Sequence, residues 1–247
     1  MVKFIFQITK IIIGVIMMLL AMSCGNNMNF LGEGISGNGN VTSSKRTLTE
    51  NFDAIEAKTG VHVVIEQTDS YAVEANTDEN LQEHLKTEVE NGVLIIYFDE
   101  NIYKAKERTV YVKVPSLKKI SSSSGASVES TNTLKTESID LKSSSGSLMK
   151  LNVNAKNMSC DSSSGSEISA NGKAENLRTE SSSGSTIQLE NLEVANAICK
   201  SSSGSSTKVN PYESLDADAS SGSSIKYYST PKQIKVDESS GASISKR

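Results

Sequence analysis

The chain has 247 residues, a net charge of −4, 36% hydrophobic residues, no tryptophan and a marked excess of serine. No basic stripe with interleaved aromatics occurs, which excludes nucleic acid as a partner. Serine-rich composition ordinarily signals a low-complexity segment, but the serines of this chain recur at a fixed spacing.

In chain order, Lys3 and Lys10 precede a short apolar run, residues 11–22, which ends at Ser23 and Cys24. A positive start and an apolar stretch too short for a comfortable span make a signal peptide over residues 1–24. A small residue followed by Cys is the pattern of a bacterial lipoprotein. The expectation is therefore that Cys24 carries lipid, becomes the mature N-terminus and anchors the chain to a membrane of the cell envelope. Gly25 does not resemble an inner-membrane retention signal, which points to the outer membrane. Residues 25–40 read as a polar tether.

Residues 41–115 are strand-like without the serine block. Residues 61–65 and 71–74 are apolar or alternating, and residues 109–114 form a strand that leads through Pro115. Residues 86–98 predict a hairpin turning at Asn91-Gly92, because both central residues of a type I′ turn need φ > 0. Residues 78–85 allow one helical turn. The segment reads as irregular β-rich coils that cover one end of the serine-rich region.

From residue 116 to 247 the pattern is regular. Gly125, Gly146, Gly165, Gly184, Gly204, Gly222 and Gly241 each close a run of serines or a close variant, 18 to 21 residues apart. Five residues before each Gly stand Ile120, Leu141, Cys160, Thr179, Cys199, Ala217 and Val236. Three after stand Val128, Met149, Ile168, Ile187, Thr207, Ile225 and Ile244. The column four before Gly is polar throughout: Ser121, Lys142, Asp161, Glu180, Lys200, Asp218 and Asp237. Odd columns inward and even columns outward is the period of a strand with one buried face. A repeat near 20 residues built from such strands predicts a right-handed parallel β-helix, all-β, with about 19–20 residues per turn. The seven glycines form a ladder at its corner. Gly permits φ > 0 there, and serine is small enough to stack at the roughly 4.8 Å spacing of successive coils. Charges in residues 243–247 are expected to close the far end against edge pairing.

The same stacking sets Cys160 and Cys199 two coils apart, roughly 9–10 Å, too far for a disulfide. No His-based metal motif occurs, His62 and His84 stand outside the repeats, and no general base accompanies the serines at repeat spacing. The chain is therefore read as non-enzymatic, with no catalytic, metal or cofactor-binding residues and no cofactor. The outward charges read as a solvated face supported by alternating sign.

The strand Gly60-Val61-His62-Val63-Val64-Ile65, the hairpin around Asn91-Gly92, the run Val112-Lys113-Val114-Pro115-Ser116-Leu117 and the serial Ser-Gly turns together resemble a known family. It is the putative auto-transporter adhesin, head GIN domain family of Bacteroidetes-type bacteria. The resemblance implies an exported β-helical lipoprotein with an adhesive role and no catalytic residues. The expected partners are a membrane, through Cys24, and a glycan or protein whose identity the sequence does not encode. An envelope scaffold is the main alternative, and a carbohydrate-active enzyme a more remote one.

Overall fold

The computed structural model of the protein describes residues 34–247; the leader, Cys24 and residues 25–33 lie outside the described residues. The described chain is an all-β parallel solenoid. Five long strands, Ser127–Ser143, Leu148–Ser162, Glu167–Ser181, Thr186–Ser201 and Ser206–Ala219, each bend through the better part of one coil. Each pairs in parallel with the coils before and after it. Successive register partners are Leu141, Cys160, Thr179, Cys199, Ala217 and Val236, which is the column defined by the glycine alignment. A second inward column runs Ile139, Met158, Leu177, Ala197, Leu215, Ile234.

These columns are the core. Met149, Ile168, Ile187 and Ile225 are fully buried, and each such side chain contributes about 1.5–3 kcal/mol by leaving water. Backbone N–H and C=O groups are satisfied by the coil above and the coil below, so no helix is needed to cover them. Cys160 and Cys199 are buried, free and separated by Thr179. Burial pushes both thiols up, that of Cys199 to about 12, which leaves them protonated and unreactive.

The first regular coil begins earlier than the serine blocks. Strands Ala54–Ala57 and His62–Gln67 pair with Lys119–Ser122 and with the start of Ser127–Ser143. Between them Thr59 (φ 54°) and Gly60 (φ 69°) make an additional corner, and Gly60 N–H donates to Ser124 O at 3.0 Å. Coils are not stacked in chain order. The strands Val93–Phe98 and Arg108–Val114 lie on the other side of this coil, so residues 54–67 are sandwiched between 93–114 and 119–130. The Gln67 side chain fastens the crossing: it donates to Pro115 O (2.8 Å) and Lys135 O (3.0 Å) and accepts from Lys135 N–H (2.6 Å).

Antiparallel strands finish this end. Val41–Arg46 and Ala72–Asp78 pair with each other, and Ala72–Asp78 also pairs with Arg108–Val114. Leu85–Glu90 and Val93–Phe98 form the hairpin, with Asn91 at φ 51° and Gly92 at φ 75°. A short 3₁₀ turn, Glu79–Leu81, stands where the sequence allowed one helical turn. The last part of the stretch read as tether is held rather than free. Ile35–Ser36 pairs with Ile102–Lys104, and the buried Asp78 carboxylate accepts the N–H groups of Gly39 (2.5 Å) and Lys106 (2.7 Å). Burial pushes this carboxyl up, but the backbone donors of Lys106, Gly39 and Glu107 together outweigh it and hold it below its ordinary value.

The opposite end is not closed by residues 243–247. Gln233–Glu238 and Ser243–Lys246 form a last coil, and among the described residues no coil lies on it. Ile234 and Val236 are 50% and 49% exposed, whereas Leu215 and Ala217 beneath them are 2% and 1% exposed. The charged residues of the terminal stretch lie along the coil and leave the apolar columns uncovered.

Candidate functional site: the serine corner

Each corner is a tight turn. In Ser144–Ser147, Ser145 has φ 53° and Gly146 φ 69°, and Ser147 N–H donates to Ser144 O at 3.2 Å. Positive φ at both central residues is the type I′ conformation, the same device as the Asn91-Gly92 hairpin. A Cβ on Gly146 would meet nothing within 4 Å, so the glycine serves backbone conformation, not space. Gly146 N–H donates to Ser164 O at 3.1 Å, and the same bond recurs from Gly125 to Gly222, which carries the interstrand ladder around the bend.

The serines fall into two sets. Ser122, Ser143, Ser162, Ser181 and Ser201, three before the glycine, are buried, as are Ser147, Ser166, Ser185, Ser205 and Ser223, one after it. Their hydroxyls are saturated. Ser147 Oγ accepts Ser144 N–H (3.0 Å) and lies 2.9 Å from Ser122 O and 2.8 Å from Ser143 Oγ. Ser166 Oγ repeats this one coil on, 2.7 Å from Ser143 O and 2.7 Å from Ser163 O. The second set, Ser144, Ser163, Ser182, Ser202 and Ser220, is half-buried, and among the described residues none of its hydroxyls has a protein partner.

That second set lies in a groove. A depression of about 770 Å³ runs along the corner from Glu56 and Ser121 to Asp218 and Ser220. The unpartnered hydroxyls form one side and the outward charge column the other. With one coil every roughly 4.8 Å, the groove offers a hydroxyl and a column side chain at each rung. The column does not support itself as its alternating sign suggests. Lys142 pairs with Asp161 at 3.3 Å, and this bond, with Asp140 nearby, raises the Lys142 ammonium. Glu180 turns instead to Arg178 on its own strand (2.5 Å), and Lys200 has no ion pair among the described residues. The groove therefore carries charges of both signs that remain open to a ligand.

Beside it on the same strands runs a ladder absent from the sequence reading. Asn176 donates to Asn157 (3.1 Å), Asn196 to Asn176 (3.2 Å) and Ser214 to Asn196 (2.8 Å). Its signal is present in the sequence, as Asn eight before three successive glycines.

No base is expected beside the serines at repeat spacing, and one constellation arises off that spacing. His62 Nδ1 lies 2.7 Å from Ser127 Oγ, and His62 Nε2 lies 3.3 Å from Glu129. The sandwiched coil brings these residues together across 65 positions of sequence. The three sit on the paired strands His62–Gln67 and Ser127–Ser143, and the Ser127 N–H is already spent on Val61 O (2.9 Å). Nucleophilic catalysis needs preorganised donors for an oxyanion, and backbone N–H groups tied into the ladder do not supply them. His84 lies elsewhere, in the cap, with Asp99 at 3.0 Å. Among the described residues no group of three or more His, Cys, Asp or Glu is placed to hold a metal ion.

The fold and its corner have counterparts among known proteins. The family model described as putative auto-transporter adhesin, head GIN domain, matches residues 51–231. The chain belongs to that family. The match takes in the sandwiched coil, the hairpin and six of the seven glycine corners. Among solved structures, a putative adhesin from Bacteroides fragilis superimposes with a TM-score of 0.81 at 19% identity, covering 87% of this chain and 100% of that one. A putative adhesin from Parabacteroides merdae gives 0.69 at 18% identity, over 86% of this chain and 98% of the other. A putative lipid binding protein from Parabacteroides distasonis gives 0.69 at 20% identity, over 86% and 99%. At such identities the likeness is one of fold. No curated protein matches. Among the described residues, no helix is long and apolar enough to cross a membrane.

Proposed function

We propose that this family member is an exported cell-envelope lipoprotein, held at the outer membrane through lipid on Cys24, whose stiff solenoid makes contact with a glycan or a protein. The observation that carries the reading is the groove of about 770 Å³, along which the hydroxyls of Ser144, Ser163, Ser182, Ser202 and Ser220 have no protein partner among the described residues. Its mixed charges favour an uncharged, hydroxyl-rich polymer or a protein segment over a uniformly charged polymer, which would meet like charge at Asp161 and Glu180 or at Lys142 and Lys200. The strap of residues 34–40 on the cap supports anchoring from that end: nine residues, 25–33, separate Cys24 from the described chain. Fully extended they reach about 30 Å.

The name of the Parabacteroides distasonis protein raises lipid binding as a second reading. The coil interior gives it little support, because the inward columns of Ile, Leu, Val and Met fill it. An envelope scaffold, with a resident protein in the groove, is the nearer rival. A glycan array and a pull-down from envelope extract separate the two. The triple variant Ser144→Ala/Ser163→Ala/Ser182→Ala is expected to lose the bound sugar or protein while melting as the wild type does. Unchanged binding would remove the groove from the account. Membrane-impermeant labelling of intact cells, alongside Cys24→Ala, reports whether the rod faces outward and whether Cys24 anchors it.

A further inference from the structure

The open C-terminal end carries one residue that breaks its own column. Three before the corner glycine stand Ser122, Ser143, Ser162, Ser181, Ser201 and Ala219, all buried, and in the last coil the same position is Glu238. Its carboxylate folds back over the end, where Oε1 accepts Ile244 N–H at 2.5 Å. That N–H faces the open side. Ser243 and Arg247 donate downward to Ser223 and Tyr227, so the groups of Ile244 between them point away from the body. Glu238 thus satisfies an edge donor that in earlier coils meets the next coil.

Apart from Glu238, the strand Gln233–Glu238 matches itself. Ser239 donates downward to Ala219, so in Gln233–Glu238 the backbone groups of Ile234, Val236 and Glu238 face the open edge. Set two such strands antiparallel about Val236, and Val236 meets Val236 of a second copy as a hydrogen-bonded pair. Lys235 then lies opposite Asp237 of the second copy, and Asp237 opposite its Lys235, both on the outward face. Asp237 has no ion pair among the described residues, and Lys235 is bonded only to Asp216 (3.3 Å). The remaining pair sets Ile234, half-exposed and apolar, against Glu238. There a docking copy would bury a carboxylate without a cationic partner, which is costly. An inward-facing charge on a strand edge is a known way of refusing a further strand.

We propose that the C-terminal end face is complementary to a second copy of this chain and that Glu238 keeps it closed. The surface and its guard are independent of the groove and of what the groove binds. Sedimentation velocity of the purified full chain in mild detergent tests it, with circular dichroism melts confirming that every variant is folded. Wild type sediments as a monomer across a hundredfold range of concentration. Glu238→Ser, which restores the serine of the column, shifts to twice that mass over the same range. Adding Lys235→Asp to Glu238→Ser returns the monomer, and adding Asp237→Lys to that pair restores the dimer. A Glu238→Ser protein that stays monomeric overturns the proposal. So does a wild type already paired through this end, or a dimer indifferent to the charge at residue 235.

Discussion

The two ends of this solenoid meet the same physical problem with unequal amounts of chain. At the N-terminal end three antiparallel strands, a hairpin and the strap of residues 34–40 lie over the coils, pinned by a buried carboxylate at Asp78. At the C-terminal end no other coil among the described residues lies on the last one, Ile234 and Val236 are half-exposed and one carboxylate is folded over the edge. The difference shows what the repeat does by itself. A coil needs a neighbour on each side to bury its columns, so the body is stable in the middle and only as good as its covers at the margins.

Truncation along one column exposes that gradient most strongly. Ile168→Ala, in the middle of the stack, is expected to cost about 2–5 kcal/mol, because it leaves a cavity between well-packed neighbours. Ile234→Ala, at the open end, should cost roughly 1 kcal/mol or less, since half of that side chain is already in water. Urea unfolding of the pair measures both, and equal losses would mean that the end is covered in solution.

The cap is broken by charge instead. Asp78→Asn should cost about 1–3 kcal/mol at neutral pH, as backbone donors lose a charged acceptor. The acid dependence arises from the same group. Its folded pKa lies below the unfolded value of about 3.9, so its contribution is complete above that pH and is lost as pH falls through the folded value. The protection of the strap amides and of residues 104–107, measured relative to intrinsic exchange at each pH, should therefore fall below about pH 4 in the wild type. The Asn variant should show a weaker response to acid, and identical acid profiles would exclude Asp78 as the pin.

The smallest effect concerns the corner itself. Ser145, Ser164 and Ser183 hold positive φ without being glycine, a conformation that disfavours side chains. Asn tolerates it better, so Ser164→Asn should stabilise by roughly 1 kcal/mol or less, readable as a rise in Tm.

Most of the body was legible because a solenoid writes its third dimension into its period. Once Gly146, Gly165 and Gly184 are aligned, the register of every neighbouring column is set, down to Thr179 between the two cysteines. The N-terminal end was not, for a topological reason. Residues 54–67 lie between coils that come later in the chain, and no local pattern encodes an order that runs 93–114, 54–67, 119–130. The Thr59-Gly60 corner was overlooked because its spacing to Gly125 is no multiple of the repeat. The meeting of His62 with Ser127 was hidden by the same insertion. The groove was half legible: alternation separates inward from outward serines, but only the fold reveals that the inward hydroxyls are saturated and that the outward ones have no protein partner among the described residues. At the far end, the charges expected to guard the edge were those of residues 243–247, whereas the carboxylate that turns over it is Glu238, bonded to Ile244 N–H.

That division of the serines is the claim on which both stability and contact depend, and one paired melt tests it. Ser147→Ala/Ser166→Ala/Ser185→Ala, on the inward row, should lose about 1 kcal/mol or more per site, because each change strands buried backbone partners. Ser144→Ala/Ser163→Ala/Ser182→Ala, on the outward row, should stay within about 0.5 kcal/mol of the wild type. If the outward triple falls as far as the inward one, the groove hydroxyls are part of the wall and not available to a ligand.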